Sequence, residues 1–146
     1  MTITLRQAVA GDFPFVFELN KMNMRPYVEE IRGWNDEDEW TDMKRKFRPG
    51  QDCIILAEGE PIGIFAVDKE ESGYYLRHIE LLPHCQGTGI GSALIRDLLQ
   101  TAGEENLPVY LTVLKHSPAR HFYQQLGFYI TGEKGIKYQM VAYPPR

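Results

Sequence analysis

The stretch "LLPHCQGTGIGSALI" (Leu81–Ile95) decides how this chain is read. Gly87, Gly89 and Gly91 stand at alternate positions directly ahead of an amphipathic run. Glycine loses the most backbone entropy on folding and is a poor helix former. Its use here must lie in the room and dihedral freedom that it leaves. Pro83 stops the preceding strand, so the loop joins a strand to a helix. The first N–H groups of a helix have no intrahelical partner, and the helix dipole is positive there. Glycines let such N–H groups close around phosphate oxygens with no Cβ in the way. Gln86, Gly87, Thr88, Gly89, Ile90, Gly91 and Ser92 are therefore expected to cradle a pyrophosphate. The bland alternative is a tight turn that binds nothing. Two common nucleotide loops fit poorly. No Lys follows the glycines, as a Walker loop requires. Counted from Gly87, the third glycine of a dinucleotide fingerprint falls on Ser92, and no opening βαβ unit precedes the loop.

Outward from this loop the pattern is mixed. "TITLRQA" alternates as a strand, and "GDFPFVFELNKM" reads as a helix with Asp12 at its start and Pro14 in its first turn. "RPYVEEIRGW" has no clear period. "NDEDEWTDMKRKF" is expected to be a helix capped by Asn35 or Asp36, with acids first and bases last. "DCIILAE" and "PIGIFAVDKE" flank the hairpin signal "EGEP", and "SGYYLRHIELL" follows as a longer strand. After the glycines, Ala93, Leu94, Leu98 and Ala102 form one helical stripe. "PVYLTVL" is a short strand. "SPARHFYQQLG" is a helix with Ser117 as N-cap, Pro118 behind it and Gly127 past its end. Two strands around "GEKG" close the chain. The expected order is βα(α)βββαβαββ, an α/β fold.

Length and composition bound the rest. The 146 residues fit a single domain, 1–146, and 43% hydrophobic with 25% charged residues is ordinary for a globular chain. A net charge of -4 gives no support to a nucleic-acid partner. No apolar run approaches a membrane span and no leader pattern opens the chain, so a cytoplasmic protein with reduced Cys53 and Cys85 is expected. No Cys/His spacing matches a metal site.

With these residues laid out, "LLPHCQGTGIGSALI" resembles motif A of the GNAT superfamily, the acyl-CoA N-acyltransferases. Gln86, Gly89 and Gly91 fill the pattern [Q/R]-x-x-G-x-[G/A], and Pro83 stands three residues before Gln86. "VLKHSPARHFYQQLGF" is similar to the second hallmark through Ala119, Tyr123, Gly127 and Phe128, with Ser117 where the family has Asn. The resemblance implies the GNAT fold, a mostly antiparallel sheet flanked by helices, with a V-shaped split between strands 4 and 5. It implies acetyl-CoA as donor, its pyrophosphate on Gln86 to Ser92 and its pantetheine arm along Ile79 and Leu81. Ser117 then stands where the family's Asn contacts that arm.

Acyl transfer to an amine needs a base for the ammonium, and the departing thiolate can take a proton. Tyr123 is the expected acid, since the resemblance puts a tyrosine here beside the CoA sulfur. Its bland reading is a core aromatic beside Phe122 and Leu126. Glu80 is the expected base, directly or through water, because strand alternation puts His78 and Glu80 on one face near the strand's end. Its bland reading is a salt-bridged strand residue. Some family members carry the base in the later strand, where this chain has Thr112. His78 reads as structural. Cys85 reads as a bystander, since the family transfers directly. Tyr27 and Trp34, among many acids, are the acceptor-side candidates for a small amine or a peptide or protein amine. Trp40, spaced with Met43 and Phe47, reads as core. The reading is thus an N-acetyltransferase by direct attack. Its rivals are a non-catalytic acyl-CoA-binding sensor and a transferase of longer acyl chains. A homodimer through the last strand is open to it.

Overall fold

The computed structural model describes residues 2–145. Seven strands and four α-helices follow one another along the chain: β1 (Ile3–Gln7), α1 (Phe13–Arg32), α2 (Asp36–Lys46), β2 (Cys53–Ala57), β3 (Glu60–Glu70), β4 (Gly73–Leu81), α3 (Ile90–Glu104), β5 (Val109–Leu114), α4 (Ala119–Gln125), β6 (Tyr129–Lys134) and β7 (Lys137–Ala142). The strand order in the sheet is β1-β2-β3-β4-β5-β7-β6. Neighbours pair antiparallel in β1–β2, β2–β3, β5–β7 and β6–β7, while β4 and β5 run parallel. Among the described residues the β4–β5 ladder consists of Tyr74↔Val109 and Tyr75↔Tyr110, at the beginnings of both strands. That short parallel ladder is the split expected between strands 4 and 5. Among the described residues no helix is long and apolar enough to cross a membrane.

The chain gathers into two compact units, with β3 and β4 running through both. The first unit holds the chain up to Ala66 and His78–Ile90. Its core is Ala8, Val16, Leu19, Ile54 and Ile64, with Phe15, Met43, Phe47, Leu56 and Leu82 packed against it. Val16 and Leu19 come from the apolar stripe of α1, and Ile54 and Ile64 from the β2–β3 hairpin. That hairpin turns at Glu58 and Gly59, both at positive φ (50° and 81°), the two-residue turn whose twist matches the strands. Trp40, expected in the core, is half-buried and sits edge-on to Phe13 at 4.6 Å and to Phe17 at 5.0 Å. At the entry to α1, Asp12 accepts from the Val9 N–H and holds both Arg6 amino groups at 2.8 and 2.9 Å.

The structure settles two readings left open for this unit. The unclassified stretch after Met24 is helical: α1 continues through Pro26 to Arg32. Proline gives up the N–H bond to the carbonyl four residues back. Burial of Val28 and the Arg25–Glu29 pair at 2.7 Å carry the helix past it. Tyr27, read as lying outside regular periodicity, is therefore a helical residue. At α2 the cap is Asn35, whose side chain accepts from the Asp38 N–H at 3.0 Å.

The second unit holds Val67–Arg77 and the chain from Gly91 onward. Val109, Leu111, Met140 and Val141 are buried, with Leu111 opposite Met140 in the β5–β7 ladder. On α3 the buried line is Ile95, Leu98 and Ala102, while Ala93 is exposed and Leu94 half-buried. The expected stripe is thus rotated by about one position at its start. The last turn falls at Gly135 and Ile136, between β6 and β7, rather than across the whole of "GEKG".

Candidate active site

The loop ahead of α3 is shaped before any ligand is considered. Pro83–Cys85 makes one 3-10 turn after β4. Cys85 is buried, and its carbonyl accepts from the Thr88 hydroxyl at 2.6 Å. Gly87 and Gly89 lie at φ 73° and 88°, while Thr88 between them does not have positive φ. Backbone that alternates in hand turns successive N–H groups towards one concavity, a favoured anion site. Nothing lies within 4 Å of where a Cβ would stand on either glycine, so the need for glycine is conformational. The N–H groups at the start of α3, from Ile90, add orphan donors. This backbone fits a diphosphate.

The end of β4 is equally organised. The Leu82 N–H donates to the Ile62 carbonyl at 2.8 Å, so Leu82 and, by alternation, Glu80 face β3 with their backbone groups. The backbone groups of Ile79 and Leu81 then point along the other edge. The Leu81 carbonyl is already occupied: Asn23 Nδ2 donates to it at 2.9 Å and Gln86 Nε2 at 3.0 Å. The Gln86 side chain also donates to Asn23 Oδ1 at 2.9 Å. Its amide therefore braces the loop against α1, while its backbone belongs to the cradle.

Glu80 lies on the face where alternation puts it, together with His78. Its Oε1 accepts from Asn20 Nδ2 at 2.6 Å and pairs with His78 Nε2, and its Oε2 accepts from Asn23 Nδ2 at 3.3 Å. Its neutral partners are two asparagines of α1. Neither figured in the sequence analysis. The signal was present: Phe13, Val16, Asn20 and Asn23 continue one helical stripe, and polar residues on a core stripe call for a partner.

In the second unit, Ser117 is buried and its Oγ accepts from the Ala119 N–H at 3.2 Å. It caps the first turn from one place further out than expected, because α4 begins at Ala119. Gly127, at φ 102°, follows the helix end as predicted. Tyr123 is half-buried, with its ring 5.4 Å from Phe122 and 5.7 Å from Phe128. Thr112 lies 3.5 Å, oxygen to oxygen, from the Tyr75 hydroxyl.

On the acceptor side, Trp34 donates its indole N–H to Asp36 at 2.7 Å and lies 6.5 Å from the Phe17 ring. An open cavity of about 650 Å³ in the first unit is lined by Phe17, Asp36, Glu37, Asp38, Trp40 and Thr41. Tyr27 is half-buried on α1. His84, His116 and His121 are exposed. Cys53 is held above its ordinary pKa, first by burial and then by Asp52. Among the described residues no group of three or more His, Cys, Asp or Glu side chains is placed to hold a metal ion.

The sequence matches the model of the acetyltransferase (GNAT) family over residues 15–128. The chain belongs to the GNAT acetyltransferase family. Solved structures of similar fold include the PaiA N-acetyltransferase of Thermoplasma acidophilum in complex with coenzyme A. It is 16% identical, with a TM-score of 0.77 and 98% and 99% of the two chains covered. A chimera of the Vibrio cholerae spermidine N-acetyltransferase SpeG with hSSAT is 23% identical, with a TM-score of 0.67 and coverage of 98% and 96%. The ribosomal-protein-S18-alanine N-acetyltransferase of Escherichia coli is 14% identical, with a TM-score of 0.66 and coverage of 99% and 96%. At these identities the likeness is one of fold. No individually curated protein matches the sequence.

Proposed function

We propose that this GNAT chain is a single-domain N-acetyltransferase that moves the acetyl group of acetyl-CoA to a primary amine by direct attack. The reading rests above all on one observation: Gly87 and Gly89 both hold positive φ in the turn that leads into the N-terminus of α3. Backbone N–H groups of Gln86 to Ser92 receive the pyrophosphate. The free edge of Ile79 and Leu81 lies alongside the pantetheine arm, with the Leu81 carbonyl already held by Asn23 and Gln86. Ser117 is a further contact for that arm. The ammonium gives up a proton at the carboxylate centre built on Glu80, directly or through a water. The amine lone pair then forms the C–N bond and the C–S bond breaks. Tyr123 Oη donates a proton to the departing sulfur and takes one back from the nitrogen as it becomes the amide. Tyr27 and Trp34 stand on the side of the acceptor, a small-molecule or peptide amine. The spermidine and ribosomal-protein transferases of similar fold act on acceptors of both kinds. Two free thiols suit a reducing cytoplasm.

Titration calorimetry with acetyl-CoA tests the cradle. The wild-type chain should bind, and Gly89→Val should bind at least about tenfold more weakly while still melting cooperatively, since valine is strained at positive φ. Equal affinity in the folded variant would remove the loop from the coenzyme site.

A further inference from the structure

We propose that His78 takes the amine's proton and that Glu80 is its positioning residue. The inference rests on the acetyltransferase reading and refines its carboxylate centre. Both oxygens of Glu80 are engaged: Oε1 by Asn20 and His78, Oε2 by Asn23. Oε1 already accepts two bonds and Oε2 one, so three of the carboxylate's lone-pair sites are taken, which leaves Glu80 little room for an arriving proton. The Glu80 side chain is 9% exposed, against 22% for His78, so the imidazole is the more reachable group. Its Nε2 faces the carboxylate, which stabilises the Nε2–H tautomer. That leaves Nδ1 bare, and Nδ1 has no hydrogen-bond partner among the described residues. A carboxylate on one ring nitrogen and a free lone pair on the other is the arrangement of a general base held in its working tautomer. Asn23 also receives Gln86 Nε2, so the clamp on Glu80 is tied to the glycine loop.

The protons balance. The ammonium N–H bond breaks and its proton bonds to His78 Nδ1. The freed lone pair attacks the thioester carbonyl carbon. The C–S pair leaves on sulfur, which takes the Tyr123 proton. The second proton lost as the nitrogen becomes an amide returns to Tyr123, and His78 releases its own to water.

Three variants test this, His78→Ala, His78→Gln and Glu80→Gln, with free CoA release read against spermidine and a short peptide with a free N-terminus. His78→Ala should lose about 100-fold or more in kcat with acetyl-CoA affinity unchanged, and added imidazole should restore about tenfold. Glu80→Gln should lose about tenfold, with no rescue by imidazole. A larger loss in Glu80→Gln than in His78→Gln, or no imidazole rescue of His78→Ala, would make Glu80 itself the base. A second measurement needs no acceptor. Nitrogen-15 spectra of the wild-type imidazoles at pH 8 should put the His78 proton on Nε2, and a proton on Nδ1 overturns the proposal. Absence of acetyl-CoA binding in the wild type would instead sink the acetyltransferase reading.

Discussion

Asn20 and Asn23 stand three residues apart on α1 and reach the same carboxylate, an economy that strand alternation alone would never reveal. Removing either leaves a half-buried carboxylate with one donor fewer. Asn23→Ala should cost about 1–3 kcal/mol in stability by chemical denaturation, because Glu80, the Leu81 carbonyl and Gln86 each lose a bond together. Gly63 carries a different constraint. A Cβ there would lie 2.3 Å from the Glu80 carbonyl oxygen, so Gly63→Ala must push the end of β4 away from β3. That variant should melt lower than wild type and lose turnover, since Glu80 moves with its backbone. Tyr123→Phe keeps the ring packing against Phe122 and Phe128 and removes only the hydroxyl. Its kcat should fall by about 100-fold with acetyl-CoA affinity intact, and unchanged turnover would take Tyr123 out of the reaction.

Elements with strong local signals were legible. The α2 helix follows from Asn35, the acids behind it and the bases at its end, because caps and dipole act within one turn. Asn35→Ala should therefore lower stability by about 1 kcal/mol, read as a shift of the denaturation midpoint. The β2–β3 hairpin follows from Glu58 and Gly59 for the same local reason. The second half of α1 was not legible. Pro26 is a helix breaker by propensity, and what overrides it is burial of Val28, a tertiary effect. The α3 stripe was misplaced because "SALIRDLL" offers two adjacent apolar lines, and only packing selects Ile95. With Ile95 at 0% exposure, Ile95→Ala should cost about 2–5 kcal/mol, whereas Ala93 on the exposed side should tolerate change.

At the scale of the whole molecule, four carboxylates among the described residues sit below their ordinary pKa through cation or hydroxyl partners. Arg6 lowers Asp12, Lys21 lowers Asp36, Lys46 lowers Asp42, and Lys69 lowers Glu105 with help from the Tyr74 hydroxyl. A depressed folded pKa means that the charged form is favoured by folding. The stability from these groups is therefore present above the ordinary values of 3.8 and 4.5 and is lost as pH falls through the depressed ones. Denaturation midpoints should hold from pH 7 down to about 5 and drop towards pH 3. These pairs are largely at the surface, so salt should blunt the effect. An acid limb that is flat would mean that the pairs contribute nothing.

The sequence by itself determined the order of elements, the glycine-rich turn before α3, the placing of His78 and Glu80 on one strand face and the GNAT resemblance. Each depends on spacing within a few residues, where backbone geometry leaves little choice. Tertiary structure alone decided that Asn20 and Asn23 close on Glu80, that Gln86 turns back to the Leu81 carbonyl, that α1 passes Pro26 and that Ile95 is the buried residue of α3. Those outcomes join positions up to 60 residues apart. They are set by which polar groups must find partners once the core excludes water, a condition that exists only after the chain has packed.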